Sequence, residues 1–473
     1  MASDVVDQLI QSISSLSTSY DAHKNSFIKN TQEKTPLHAA AAIDGVDTCR
    51  RLVAEGADIN AKCQDFHATA MHYAALNEKH GLEVIEYFTN LKMRVDIEDK
   101  NGKEPILYAI RAKNFKIAEK LLKLWFPEGE LSKNNLLHLC VKKNNLEMAK
   151  IVLNHDKHLM NKYGEDERST IHIAAFYADL EMFKWLLSEG ADVRALTKDK
   201  FEENVLHCSA CNTSHGTELV QFLVSKLRFD VNAKDKLGYT PLHYAFWKNN
   251  IKTAEELLKL GAELTVKRIT NDSNNLENLM HFCVKWNKMK SAKFLQEKNR
   301  NLVRDLRGDG ETSLHIAAEH AGLGMCKWLV DECGLDPLAL ARNQKLSVLE
   351  CAACNKSHGK EIIQYLVDKY SLDVNRKDEG GFTPLHQAFF NNNIVAAEEL
   401  VRLGADLTVK REANNLLHES VIDNKVESVK YLIEKLPGLL VEPGPGGKTI
   451  VQLATENGDK AMMKLLTEKG CKF

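Results

Sequence analysis

The sequence predicts an all-α solenoid of stacked helical units, and three observations predict it. A four-residue phrase returns thirteen times, most plainly as Thr35-Pro36-Leu37-His38, Thr240-Pro241-Leu242-His243 and Thr383-Pro384-Leu385-His386. Its fourth position falls at 38, 72, 107, 138, 172, 207, 243, 281, 315, 350, 386, 418 and 452, at intervals of 31 to 38 residues. A period of this length belongs to helical units that bury their apolar faces against their neighbours. Two residues past the fourth position the side chain is always small, as at Ala40, Cys140, Ser209 and Ala317. A slot restricted to Ala, Ser or Cys implies close approach of one helix to the next. Thirdly, a second run of apolar residues at helical spacing follows the phrase, clearest at residues 46–53 and 253–258.

Each element of the unit has its own justification. Pro36, Pro105, Pro241 and Pro384 suit the first turn of a helix, where no amide hydrogen is needed. The Thr or Asn before that turn caps it. Gly56, Gly190, Gly261 and Gly404 stop the second helix. An extended piece such as Asp58-Ile59-Asn60 follows, then a polar turn such as Lys100-Asn101-Gly102. The chain therefore reads helix, turn, helix, hairpin loop, thirteen times. Residues 1–30 precede the array and place Val5, Val6, Leu9, Ile10, Ile13 and Leu16 on one helical face, as an amphipathic helix capping the open end would.

The phrases Thr-Pro-Leu-His-Ala-Ala at 35–40 and Gly-Ala-Asp-Ile-Asn-Ala at 56–61 resemble the ankyrin repeat, and the likeness covers residues 31–473. The resemblance implies L-shaped units of two antiparallel helices with a projecting β-hairpin finger, arranged as an elongated curved array. Leu107, Glu350 and Gln452 replace the histidine of the phrase, so less rigid first turns are expected there. A second period of 143 residues relates residues 211–216, Cys-Asn-Thr-Ser-His-Gly, to residues 354–359, Cys-Asn-Lys-Ser-His-Gly. It suggests duplicated four-repeat blocks at about 31–165, 166–308 and 309–444, with a terminal repeat at 445–473.

Composition narrows the function. The chain carries 63 basic and 65 acidic residues and no sustained basic run, which argues against nucleic acid as a partner. No stretch of about 18 apolar residues is present, so no membrane span is expected. Eleven scattered cysteines read as reduced thiols of a cytoplasmic protein, a reading that extends to the nucleus.

Three patterns imitate chemistry. Cys208-x-x-Cys211 with His215, and Cys351-x-x-Cys354 with His358, have metal-like spacing. The cysteines occupy ordinary repeat positions held by Tyr73 and Leu76 in the first block, so buried thiols are expected and no metal or cofactor is assigned. Residues 444–449, Gly-Pro-Gly-Gly-Lys-Thr, resemble the end of a phosphate-binding loop, but Glu442 stands where its first Gly belongs. Ten of the eighteen histidines sit in the repeating phrase, and that regularity marks a structural role. No catalytic set stands apart from the scaffold, so an enzyme is not expected.

What remains is surface. The resemblance implies that partners dock on the finger tips and on the concave face of the inner helices. Four residues past the phrase's fourth position stand Phe176, Trp247 and Phe390, and elsewhere Arg111, Lys142, Lys285 and Glu319. Large aromatics there are either partner anchors or packing under the adjacent turn. Tyr239 and Phe382, just before their phrases, are the matching finger candidates. The expected function is a monomeric, non-enzymatic protein-interaction scaffold. The alternative is an adaptor or inhibitory subunit of an enzyme or transcription-factor complex, a class that includes a pathogen effector mimicking host scaffolds.

Overall fold

The computed structural model describes residues 34–112, 114–125, 136–155, 157–164, 166–269, 275–342, 344–457 and 460–469. The expected N-terminal helix lies outside these residues. Among them each phrase opens an inner helix and an outer helix follows it. The first pairs are α1 Pro36–Ile43 with α2 Val46–Ala54, α3 Ala70–Ala74 with α4 Gly81–Asn90, and α5 Pro105–Arg111 with α6 Phe115–Trp125. Next come α7 Leu136–Lys142 with α8 Leu146–His155, α9 Thr170–Tyr177 with α10 Leu180–Ser188, and α11 Val205–Cys211 with α12 Gly216–Ser225. They continue as α13 Pro241–Trp247 with α14 Ile251–Lys259, α15 Leu279–Lys285 with α16 Met289–Lys298, and α17 Ser313–His320 with α18 Leu323–Lys327. The last are α19 Val348–Cys354 with α20 Gly359–Tyr370, α21 Pro384–Phe390 with α22 Ile394–Arg402, α23 Leu416–Ile422 with α24 Val426–Lys435, and α25 Ile450–Asn457 with α26 Lys460–Glu468. Two units divide at Leu219 and Val220, within α12. That division falls inside the predicted 166–308 block.

Inner helices pack on inner helices within each unit: α1 on α3 and α9 on α11 in the first, α17 on α19 and α19 on α21 in the second. All thirteen small-slot side chains are buried, from Ala40 through Cys140, Ser209 and Cys283 to Ala454. Two fingers zip into short antiparallel ladders, β1 Lys267–Ile269 with β2 Leu276–Asn278 and β3 Lys410–Arg411 with β4 Asn414–Asn415. Gly56, Gly190, Gly261 and Gly404 end their outer helices at φ 95, 93, 99 and 101°, a conformation costly for a side chain bearing Cβ.

The phrase histidines bind the stack together. His72 Nδ1 accepts the Thr69 backbone N–H at 3.0 Å, and Nε2 reaches the Lys103 carbonyl of the following finger at 3.0 Å. His38 reaches Ala61 and Ala68 in the same way, His172 reaches Ala195, and His315 reaches Leu346. One ring thus caps its own helix and fixes the finger that leaves its repeat. Glu350 replaces the ring differently, accepting the Ser347 N–H at 2.7 Å and hydroxyl at 2.6 Å. Gln452 accepts the Thr449 N–H at 2.8 Å. The loosening expected at these two positions is therefore corrected, because an amide or carboxylate oxygen supplies the same acceptor. Leu107 has no such group.

The Asn-x-x-His-Gly turns are clamps between repeats. Asn355 donates to the Ala318 and Ala321 carbonyls at 3.0 and 2.8 Å and accepts from the His358 N–H at 2.9 Å. Asn212 and Asn77 do the same to α9 and α1. The glycine that follows begins the outer helix against backbone: a Cβ on Gly359 would stand 2.5 Å from the Ala352 carbonyl oxygen.

Gly359→Ala should therefore destabilise the protein by about 1–3 kcal/mol, as an overpacked contact does. Gly324→Ala, in α18 with nothing within 4 Å of the added carbon, should instead stabilise by roughly 0.5–1 kcal/mol; urea unfolding checks both signs. Burial lowers His72, His138, His172 and His315 to about 4. Their folded pKa lies below the unfolded value of about 6.5, so their contribution is whole above that pH and is lost as pH falls toward 4. Burial raises the Glu104 and Glu311 carboxyls to about 7, which acts oppositely but from fewer groups. The unfolding free energy from urea titration should drop between pH 7 and pH 4.5, by at most about 1.4 kcal/mol per pH unit for each ring.

Candidate functional site

The predicted groove position lies in the last turn of its inner helix at Phe176, Trp247, Lys285, Glu319 and Phe390, whereas Ala42, Leu76 and Cys211 at the same position are buried. In the first unit Phe176 is half-buried against Tyr177, ring centroids 4.6 Å apart, with the Arg168 guanidinium 5.0 Å above it. Lys142 extends from α7 over Tyr177 at 5.7 Å. The structure thus brings Lys142 and Phe176 to one patch around Tyr177. The side chain of Arg111, at the end of α5, lies outside the described residues.

In the second unit Trp247 ends α13 and is 41% exposed, with the 49% exposed Trp286 6.3 Å away. Tyr239 is not displayed at a finger tip. It folds down at the finger's base onto His243 at 5.5 Å and Phe282 at 5.5 Å, under the Arg268 guanidinium at 4.1 Å. Arg268 also pairs with Glu277, directly opposite it in the β1–β2 ladder, at 2.8 Å, and both side chains are buried. A buried charge is tolerated only when so paired.

The same arrangement recurs around α21 and α23, with one difference. Phe382 lies under Arg411 at 4.2 Å and meets His386 edge to face at 5.9 Å. Phe390 is 50% exposed, with Lys425 4.5 Å above its ring. Opposite Arg411 in the ladder stands Asn414, not a carboxylate, so Arg411 turns inward to Glu419 of α23 at 2.7 Å. A cavity of about 170 Å³ opens between Phe382, His386, Phe390, Arg411, Glu419 and Asp423.

Two of the charged candidates, Lys285 on α15 and Glu319 on α17, form a separate region. Glu319 lies 3.7 Å from His320 and close to Glu311 and Cys351. Arg307 holds Glu311 at ion-pair distance, 2.9 Å, and Lys285 acts on Glu311 and His320 through its charge. Burial and the neighbouring Glu311 push the Cys351 thiol well up, which keeps it protonated. Cys208, Cys211 and Cys351 are buried within inner helices, and His215 and His358 join no ligand cluster with them among the described residues. The Gly-Pro-Gly-Gly-Lys-Thr segment is the turn entering α25, closed by the Gly444 N–H on the Lys448 carbonyl at 2.8 Å. No described helix is long and apolar enough to cross a membrane.

Sequence reasoning missed Tyr177, Trp286, Arg268 and Arg411. The arginines carried a usable signal, since Lys267-Arg268 and Lys410-Arg411 stand at the 143-residue offset. Trp286 and Tyr177 sit one position beyond the slot that was read.

Comparison with known proteins adds the family. The family model for ankyrin repeats in three copies matches residues 2–99, 37–129, 123–197, 171–268 and 338–411, and the single ankyrin-repeat model matches 309–339. The chain is 23% identical over 374 residues to NAD-dependent deacetylase sir2B of Dictyostelium discoideum, covering 76% of this chain and 42% of that one. It is 24% identical over 454 residues to human transient receptor potential cation channel subfamily A member 1, covering 85% and 39%. It is 27% identical over 171 residues to human Rabankyrin-5, covering 35% and 14%. The chain thus spans about two fifths or less of these relatives.

Arg268→Ala should cost about 3–5 kcal/mol, because it leaves Glu277 charged and unpaired in a buried site. Arg411→Ala should cost clearly less, since side chains there are 30% and 12% exposed and water reaches the carboxylate. Chemical denaturation of the two variants side by side checks the order.

Proposed function

The chain belongs to the ankyrin-repeat family, and on that footing we propose that it is a non-enzymatic scaffold that holds a partner protein on the exposed ends of its inner helices and on their fingers. Ankyrin repeats mediate protein–protein interaction, and this chain has the surface for it. The observation that carries the reading is the exposure of Trp247, Trp286 and Phe390. Aromatic rings at an interface supply large contact area with little loss of side-chain freedom. Here they stand beside Lys248 and Lys425, giving apolar anchors with a charged rim. Tyr239 and Phe382 lie at the bases of the fingers of the same unit, Phe176 with Lys142 holds the equivalent repeat position in the first unit, and Lys285 and Glu319 add charge at that position in the second. Arg111 belongs with them by its repeat position. The protein acts as a monomer with a polypeptide partner, in the cytoplasm or nucleus.

Changing Phe176, Trp247 and Phe390 together to Ala should abolish capture of the partner from a lysate of the source cells, with helicity by circular dichroism unchanged. Equal capture by the folded variant would refute this surface.

A further inference from the structure

The two finger–helix sites of the second unit share a plan, and comparing them shows what one of them lacks. In the earlier site Phe282 fills the space beside the phrase histidine, its ring 5.3 Å from His243 at an interplanar angle of 84°. Trp286 closes the outer side against Trp247. In the later site Glu419 and Asp423 stand at the corresponding helix positions. The carboxylate that pairs with the finger arginine has moved from the strand, Glu277, to the helix, Glu419. No ring replaces Phe282, and the cavity of about 170 Å³ marks its place.

A buried group faces that cavity without a partner. His386 Nδ1 accepts the Thr383 N–H at 3.1 Å, so in the neutral ring the proton is on Nε2. That Nε2 is buried and has no hydrogen-bond partner among the described residues. Its nearest carboxylate oxygen, on Glu419, is 3.7 Å away, beyond hydrogen-bond range. In His72, His172 and His315 the same nitrogen is satisfied by a finger carbonyl. A buried donor left unsatisfied costs about 1–3 kcal/mol.

We infer that this pocket receives a tyrosine or tryptophan side chain of the partner polypeptide, which takes the place that Phe282 fills in the sister site. A cavity of this size accepts a benzene-sized ring. The π face of the ring covers the His386 N–H, and Phe382 and Phe390 flank it. The phenol O–H or indole N–H donates to the Asp423 carboxylate at the exposed mouth, which an aliphatic side chain or phenylalanine does not. The inference rests on the interaction-surface reading above and names the side chain that this surface recognises.

The test uses the full chain with p-cresol and 3-methylindole as probes and toluene as the ring without a donor. Millimolar p-cresol should raise the thermal midpoint of the unaltered protein, and toluene should raise it less. Glu419→Phe restores the sister residue and should abolish the p-cresol effect; where it fails to fold, Asp423→Trp at the solvent-exposed mouth should do the same. No shift with p-cresol, or a shift that survives both substitutions, overturns the pocket. Partner capture lost in the triple-alanine variant but unchanged by Glu419→Phe and Asp423→Trp overturns the pocket alone. Capture lost in the pocket variants but kept when only Phe176 and Trp247 are changed to Ala, which leaves the pocket-lining Phe390 in place, supports the pocket and overturns the broader surface.

Discussion

Ala40 and its twelve counterparts set how closely one inner helix approaches the next, and the other contacts of the repeat depend on that spacing. With a methyl, hydroxymethyl or thiol at the slot, the backbones come near enough for the Asn355 amide to reach two carbonyls of the preceding helix. The same spacing lets His72 or His315 touch a finger while capping its own helix. A larger side chain would push both hydrogen-bond sets beyond reach at once. This explains why all thirteen copies keep this position small.

The histidine network turns a stack of helices into a platform with fixed fingers. Burial holds rings such as His72, His172 and His315 neutral, which suits them to accept at Nδ1 and donate at Nε2 simultaneously. Where the network changes, the surface changes with it. After α21 the finger closes as a two-residue ladder instead of offering a carbonyl to His386, and there a cavity opens. The candidate binding features of the second unit therefore sit where the scaffold departs from its own rule. The earlier site departs similarly but repairs itself with Phe282.

Aromatic residues at the groove position divide by surroundings, not by type. Phe176 is covered by Tyr177 and Arg168, whereas Trp247 and Phe390 remain open because the next inner helix presents an exposed Trp286 or Asp423 beside them. One position in the repeat thus yields a half-buried ring in one copy and an exposed anchor in another.

The sequence by itself determined the helix pairs, their order, the small slot and the structural role of the histidines, because each rests on local periodicity and on residue size repeated thirteen times. Repetition averages out the ambiguity that a single copy carries. It also placed Phe176, Trp247 and Phe390 on inner helices. Only the tertiary structure decided which of them reach solvent and which charges pair. Arg268 and Arg411 occupy identical places in the repeat, yet one pairs across a ladder with Glu277 and the other turns to Glu419. That choice depends on what stands opposite in the finger and one turn away in the next helix. Contacts between elements, not the pattern within any one of them, leave the space beside His386 open.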